Sequence, residues 1–306
     1  MENKELQRTT LICDPETGMC ELPSVTEATD IKTAVTSNDK PVRLIYFTDP
    51  ICSACWAIEP QLRKLKLEYG HVIDFEYRMG GLLPDWSYSG GGISKPSDVA
   101  HHWDEVSAYY DMPIDGDIWL EDPLNSSYPP SIAFKAAQLQ DKESATDFLR
   151  KLREMVFLQK QNIARREVIE GAAIQAGLDT ERLKMDMEGR GPVLFGEDLK
   201  MAREYGVRGF PTLFFTQNGK TKEIIYGSRP YDVFENALSK LYPEASKASY
   251  NKDLNALFSV FGTLTAREFS ELSGTPRKES DVVLDESVAK GELTKISTKN
   301  GSMWLR

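Results

Sequence analysis

The residues that stand out chemically are four cysteines in two local pairs: Cys52-Ser53-Ala54-Cys55, and Cys13 with Cys20 in Cys13-Asp14-Pro15-Glu16-Thr17-Gly18-Met19-Cys20. Two thiols with two residues between them suit disulfide exchange: one attacks, and the other resolves the mixed disulfide one helical turn away. A bare C-x-x-C is also a metal-ligand spacing, so context decides. Here the stretch Val42 to Asp49, VRLIYFTD, reads as a buried strand. The residues after Cys55 read as a helix, with Ile58, Leu62, Leu65 and Tyr69 on one apolar stripe that closes at Gly70. Cys52 is therefore expected at an exposed helix amino terminus, where unpaired N–H groups favour a thiolate, with Cys55 more buried.

The other pair leaves three readings open. Pro15 and Gly18 allow a turn that brings Cys13 and Cys20 together. They could then be a second redox pair relaying electrons to Cys52 and Cys55, half of a zinc site needing two more ligands, or incidental thiols on an arm. Zinc is the less favoured reading, and no cofactor is expected. His71, His101 and His102 are the only histidines, and the His101-His102 pair suits an exposed helical face better than ligation. Asp49 before Pro50 reads as a turn residue rather than a proton carrier, and Trp56 reads as packing. Gly90-Gly91-Gly92 lacks the strand and helix a phosphate loop needs.

The elements that must position Cys52 and Cys55 form a strand, helix, strand pattern, the last strand running over Val72 to Met79. Helical stretches then occupy about 97–206, an insertion in an α/β unit. The unit resumes with Thr212 to Gln217 and Thr221 to Tyr226, which flank the hairpin signal Asn218-Gly219. A helix from Tyr231 to Leu241 follows. The expected division is an arm at 1–39, an α/β domain at 40–242, a small and polar linker at 243–252, and a tail at 253–306 whose helix, turn, helix, hairpin order is that of a winged helix.

Just ahead of the hairpin lies Gly206-Val207-Arg208-Gly209-Phe210-Pro211-Thr212. A C-x-x-C after the first strand and V-x-G-x-P-T before a strand pair resemble the thioredoxin superfamily. The resemblance implies a cis Pro211 beside the active-site thiols and a backbone at Phe210 that pairs with substrate peptide; Pro60 resembles the proline that kinks the active-site helix. The helical insertion narrows the likeness to the DsbA-like branch, and Gly80-Gly81-Leu82-Leu83-Pro84 and Ser126-Ser127-Tyr128-Pro129 resemble motifs of its FrnE-type members. The layout, tail included, also resembles the DsbA-like ClpXP adaptor family. Two departures stand out. Tyr46 occupies the position where many thioredoxins bury an acid, and no histidine lies between Cys52 and Cys55. A reduction potential between those of thioredoxin, about −270 mV, and DsbA, about −120 mV, is expected.

Composition sets the outer bounds. The chain has 306 residues, 41% hydrophobic and 27% charged, with a net charge of −10. That is ordinary globular composition and carries no general nucleic-acid footprint. The tail from Thr263 to Arg306 holds seven basic and seven acidic residues, which argues against DNA reading and favours protein docking. No secretory leader and no membrane-spanning run are legible, so a cytoplasmic protein is expected. The reading is a thiol-disulfide oxidoreductase or isomerase acting on protein clients, with Cys52 attacking, Cys55 resolving, and Phe210 and Pro211 shaping the peptide site. The alternative is a non-catalytic adaptor that binds a client for ClpXP-type proteolysis, with the C-x-x-C as redox sensor.

Overall fold

The computed structural model describes residues 13–14, 17–21, 40–87 and 94–306. Gly90-Gly91-Gly92 lies outside the described residues. A short hairpin of β1 (Cys13–Asp14) and β2 (Met19–Glu21) precedes β3 (Val42–Thr48), α1 (Ser53–Ala57), α2 (Glu59–Tyr69) and β4 (Ile73–Met79). Seven helices follow: α3 (Pro96–Tyr110), α4 (Ile118–Glu121), α5 (Tyr128–Ala137), α6 (Lys142–Leu158), α7 (Arg166–Gln175), α8 (Thr180–Glu188) and α9 (Arg190–Glu204). Then come β5 (Gly209–Phe210), β6 (Thr212–Gln217), β7 (Lys220–Tyr226) and α10 (Tyr231–Leu241).

The central sheet runs β4-β3-β6-β7, with β3 parallel to β4 and antiparallel to β6. Helices pack on β4, β6 and β7, so β3 is buried along nearly its whole length, as its run of apolar residues foretold. The active-site helix is split at Ile58, with Pro60 in the first turn of α2; a proline there lacks the N–H that a continuous helix would use. At the other end of the sheet, Asn218 and Gly219 both have positive φ, 52° and 71°, the geometry of a two-residue hairpin turn that Asn-Gly favours.

The tail comprises α11 (Leu254–Phe261), β8 (Thr263–Thr265), α12 (Ala266–Ser273), α13 (Arg277–Ala289), β9 (Thr294–Thr298) and β10 (Gly301–Leu305). Its sheet runs β8-β10-β9. Leu257, Phe258, Leu264, Phe269, Leu284 and Trp304 form its own core. Thr265 caps α12 and Glu268 returns the bond, its carboxylate accepting from the Thr265 N–H at 2.8 Å. The α11 helix and strand β8 add to the helix, turn, helix, hairpin order expected for the tail.

The segment 243–252 is ordered against its neighbours. Ala248 N–H donates to the Glu68 carbonyl at 2.8 Å, Lys247 pairs with Glu235 at 2.6 Å, and the Tyr250 hydroxyl donates to the Leu272 carbonyl at 2.7 Å. The tail itself is joined to the α/β unit through charge. Glu268, fully buried, meets Arg150 at 2.7 Å and Arg63 at 3.2 Å. Arg63 also donates to the Thr263 carbonyl at 2.7 Å.

Candidate thiol-disulfide site

Strand β3 ends at Thr48, and the turn Asp49-Pro50-Ile51 delivers Cys52 as the cap of α1. The Cys52 sulfur accepts from the Cys55 N–H at 3.2 Å. The adjacent Asp49 is fully buried and accepts from the N–H of Ile51 (3.1 Å), the N–H of Leu82 (2.7 Å) and the hydroxyl of Ser127 (2.9 Å). One carboxylate thus gathers the Gly80–Pro84 and Ser126–Pro129 motifs under the cysteines. Burial pushes its carboxyl up to about 6, against the hydrogen bonds it accepts. Asp49 is a turn residue as expected, and in addition a buried acid.

On the other side stands Arg153, only 1% exposed, donating to the Thr48 hydroxyl at 2.6 Å and pairing with Glu59. Nothing in the sequence marked Arg153. Its place beside the thiols depends on Arg153 of α6 reaching Thr48 at the end of β3, a contact between residues about a hundred positions apart, and an arginine on a long amphipathic helix gives no local sign of that. Trp56 packs as expected: it stacks on Phe157 with ring centres 5.6 Å apart, and its indole N–H donates to the Pro113 carbonyl at 3.1 Å.

Two expectations for Cys52 are corrected. It is fully buried rather than exposed, and so is Cys55. The cover is the amino-terminal hairpin: Cys20, also fully buried, lies with its sulfur 3.3 Å from that of Cys52. The thiol that ionises more readily is also the other one. Burial, the largest influence, pushes the Cys52 thiol up. For Cys55 burial acts the same way but is outweighed by hydrogen bonding from Cys52, the charge of Arg153, and hydrogen bonds from Thr48 and Tyr46, so its thiol is lowered. A five-residue α1 gives Cys52 only a small dipole, which cannot offset complete desolvation.

One geometric expectation from the resemblance is met at this strand edge. The Phe210–Pro211 bond is cis, and the outer end of the Phe210 ring lies against Gly80, where a Cβ would fall 1.7 Å from a ring carbon. What pairs with this edge is the chain itself. Strand β2 is antiparallel to β5, with Cys20 opposite Phe210 and Glu21 opposite Gly209. Cys20 is disulfide-bonded, Cys52 and Cys55 are free thiols, and Cys13 stands opposite Cys20 in the β1–β2 register. The site thus brings Cys20, Cys52, Cys55 and Phe210 together. The histidines stand apart: His101 is exposed as expected, whereas His102 is buried on the inner face of α3, and burial lowers its pKa. His71 is exposed after α2.

The family profile described as Thioredoxin matches residues 46–236. Over 298 residues the chain is 33% identical to the ClpXP adapter protein SpxH of Halalkalibacterium halodurans, covering 95% of this chain and 96% of that one. The chain belongs to the thioredoxin family, in its SpxH branch. SpxH of Bacillus subtilis is 29% identical over 270 residues, covering 87% of this chain and 89% of its own. Among solved structures, the cytosolic disulfide reductase DsbM of Pseudomonas aeruginosa superposes with a TM-score of 0.54 at 21% identity, over 65% of this chain and 99% of its own. The DsbA-like fold is therefore shared with disulfide oxidoreductases, while the full layout is shared with SpxH proteins. No helix among the described residues is long and apolar enough to cross a membrane.

Proposed function

We propose that this chain is a cytoplasmic protein-binding adapter of the ClpXP type, holding a client protein for proteolysis, with the Cys52–Cys55 pair reporting redox state rather than turning over many substrates. The observation that carries this reading is the extent of the likeness. SpxH of Halalkalibacterium halodurans matches 95% of the chain, whereas DsbM, matched over 99% of its own length, accounts for only 65% of it. The thioredoxin profile, which matches 46–236, leaves out both the amino-terminal hairpin and the carboxy-terminal unit, whereas the SpxH likeness runs over nearly the whole chain. A fully buried Cys52 agrees with this, since an incoming disulfide has no path to its sulfur while the hairpin is docked.

A second reading, a thiol-disulfide oxidoreductase acting on protein clients, is favoured by the cis Pro211 beside a C-x-x-C thiol pair. Protein half-lives measured across the proteome, in cells lacking this chain and in cells lacking ClpX, separate the two. The adapter reading expects the same protein to be stabilised in both strains and its turnover restored by a Cys52→Ser variant. Absence of any shared stabilised protein, together with multiple-turnover reduction of insulin disulfides that requires Cys52, would overturn it in favour of the enzyme.

A further inference from the structure

We propose that the Cys13–Cys20 disulfide is a tethered substrate of the Cys52–Cys55 pair: the amino-terminal hairpin occupies the peptide edge at Phe210 and exchanges its disulfide with Cys52 within one chain. Three independent observations converge on it. The sulfurs of Cys20 and Cys52 are 3.3 Å apart, within the roughly 3–3.5 Å separation from which reacting atoms proceed. Strand β2 pairs with β5 at Gly209 and Phe210, so it adds to the sheet edge as an extended client peptide would. The hairpin turn also has a seat built for it. Gly18 carbonyl accepts from the Ser228 N–H at 2.6 Å, and Thr17 carbonyl accepts from Arg229 at 3.0 Å.

Two glycines make that seat possible. Gly18 and Gly227 both have positive φ, 69° and 73°. A Cβ on Gly18 would lie 2.6 Å from Ser228 N, and one on Gly227 would lie 2.3 Å from Thr17 O. Side chains at either position would hold the two turns apart. The chain contains four cysteines, of which Cys52 and Cys55 are free and Cys20 is bonded, which leaves Cys13 as its partner.

The exchange balances within the chain. Cys52 passes its proton to Cys55 across their contact, and the Cys52 thiolate attacks the Cys20 sulfur. The Cys13–Cys20 bond breaks and Cys13 leaves as a thiolate, which takes up the proton now on Cys55. The Cys55 thiolate then attacks Cys52, and Cys20 leaves. Two electrons have moved from Cys52 and Cys55, now a disulfide, to Cys13 and Cys20, now a thiol and a thiolate that share the one proton present at the start. The reverse sequence restores the starting state. While the hairpin is docked, the backbone groups at Gly209 and Phe210 are used, so a client strand reaches this edge only after the hairpin leaves. The proposal does not depend on the adapter reading.

The test uses the full-length Cys55→Ala protein, which halts the exchange at its first step. One equivalent of diamide forms a single disulfide among the three remaining thiols, and free thiols are then alkylated in acid. Trypsin releases residues 9–32, carrying Cys13 and Cys20, and 44–63, carrying Cys52. The expected product includes a Cys20–Cys52 crosslink with Cys13 alkylated, in equal yield at 1 and 50 µM protein, about the range over which an intermolecular reaction would rise fifty-fold. In the same background Gly18→Val should lower that crosslink at least tenfold while far-ultraviolet circular dichroism stays unchanged. Finding only the Cys13–Cys20 disulfide with Cys52 alkylated would overturn the proposal. So would stoichiometric zinc on the reduced native chain that is lost in Cys13→Ser, because the thiols would then be metal ligands. Neither result bears on client half-lives, so failure here and failure of the adapter reading are separable.

Discussion

The two extensions of the thioredoxin-like unit both cover its active-site region, yet they are held in opposite ways. The amino-terminal hairpin is attached mainly by backbone: a two-residue ladder to β5, the turn contacts at Ser228 and Arg229, and one sulfur contact. Each such hydrogen bond contributes about 1 kcal/mol net, so the hairpin is a cover that can leave. The tail is attached by charge with no water to replace the partners. Glu268 and Glu154 lie among Arg63 and Arg150, and the network continues through Glu59 to Arg153 at the thiols. Breaking a buried pair leaves an uncompensated ion, which costs far more than undoing a few surface bonds. One extension is a removable lid and the other is part of the scaffold.

The largest effect expected from this contrast is that of Glu268→Leu. It strands Arg63 and Arg150, both 8% exposed at the side chain, at a cost of about 3–5 kcal/mol. Calorimetry should show a melting temperature lower by about 10 °C; a drop under about 2 °C would mean that the tail is held no more firmly than the hairpin. By the same reasoning, deleting 243–306 removes the partner of both arginines. The truncated chain should lose stability.

Acidity acts on the thiol turn and on the tail's buried charges with opposite signs. Asp49, raised to about 6 by burial, keeps its proton in the folded state at pH values where the unfolded chain has lost it. Stability should therefore fall as pH rises from about 4 to about 6, by about 3 kcal/mol. Glu268 and Glu154 are buried too, which alone would raise them, but Arg150 and its neighbours hold them below the usual range. Their contribution is present above about pH 4.3 and is lost as pH falls further. Urea titrations at pH 4.5, 5.5 and 6.5 should show the Asp49 slope, and Asp49→Asn should flatten it. A slope unchanged in that variant would assign it elsewhere.

Gly227→Ala comes next. It collides with Thr17 O and strains a backbone at φ 73°, and lifting the hairpin away relieves the collision. Alkylation of Cys52 in the reduced protein should accelerate at least tenfold, while the melting temperature moves by only about 2–4 °C, as for about 1 kcal/mol. Unchanged alkylation would show that the hairpin is not what protects Cys52.

How much of this was legible follows from the range of the interactions. Strand β3, the split at Pro60 and the Asn218-Gly219 turn are set by neighbours in sequence, and their residue types announced them. The resemblance to thioredoxins carried Phe210 and Pro211 because a short motif moves as a unit through a family. The burial of Cys52 had no such sign. It depends on Cys20 arriving from 32 positions away, guided by a pairing edge only two residues long. Asp49 was read as a turn residue because the partners that make it a buried acid, Leu82 and Ser127, are 33 and 78 positions distant. The charges that fix the tail looked balanced and solvent-facing in the sequence. A neutral total for Thr263 to Arg306 does not reveal that Glu268 has turned inward.

The smallest effects compare one exposed contact on each extension. Arg229 reaches Thr17 O at 3.0 Å on the hairpin side, and Lys299 reaches Asp104 at 2.7 Å on the tail side. Each truncation to alanine should cost about 0.5–1 kcal/mol or less, as exposed polar contacts do, and both should leave the melting temperature within about 2 °C. Their consequences at Cys52 should nevertheless differ. If the hairpin opens by itself, a loss of about 0.6 kcal/mol in its docking raises the open population about threefold, and alkylation of Cys52 in Arg229→Ala should rise by that factor. Lys299→Ala weakens a contact whose extension does not have to move for Cys52 to be reached, so its alkylation rate should be that of the native chain. Equal acceleration in the two variants would mean that Cys52 is exposed by a general loosening of the molecule, and the lid and the scaffold would then be one cooperative unit.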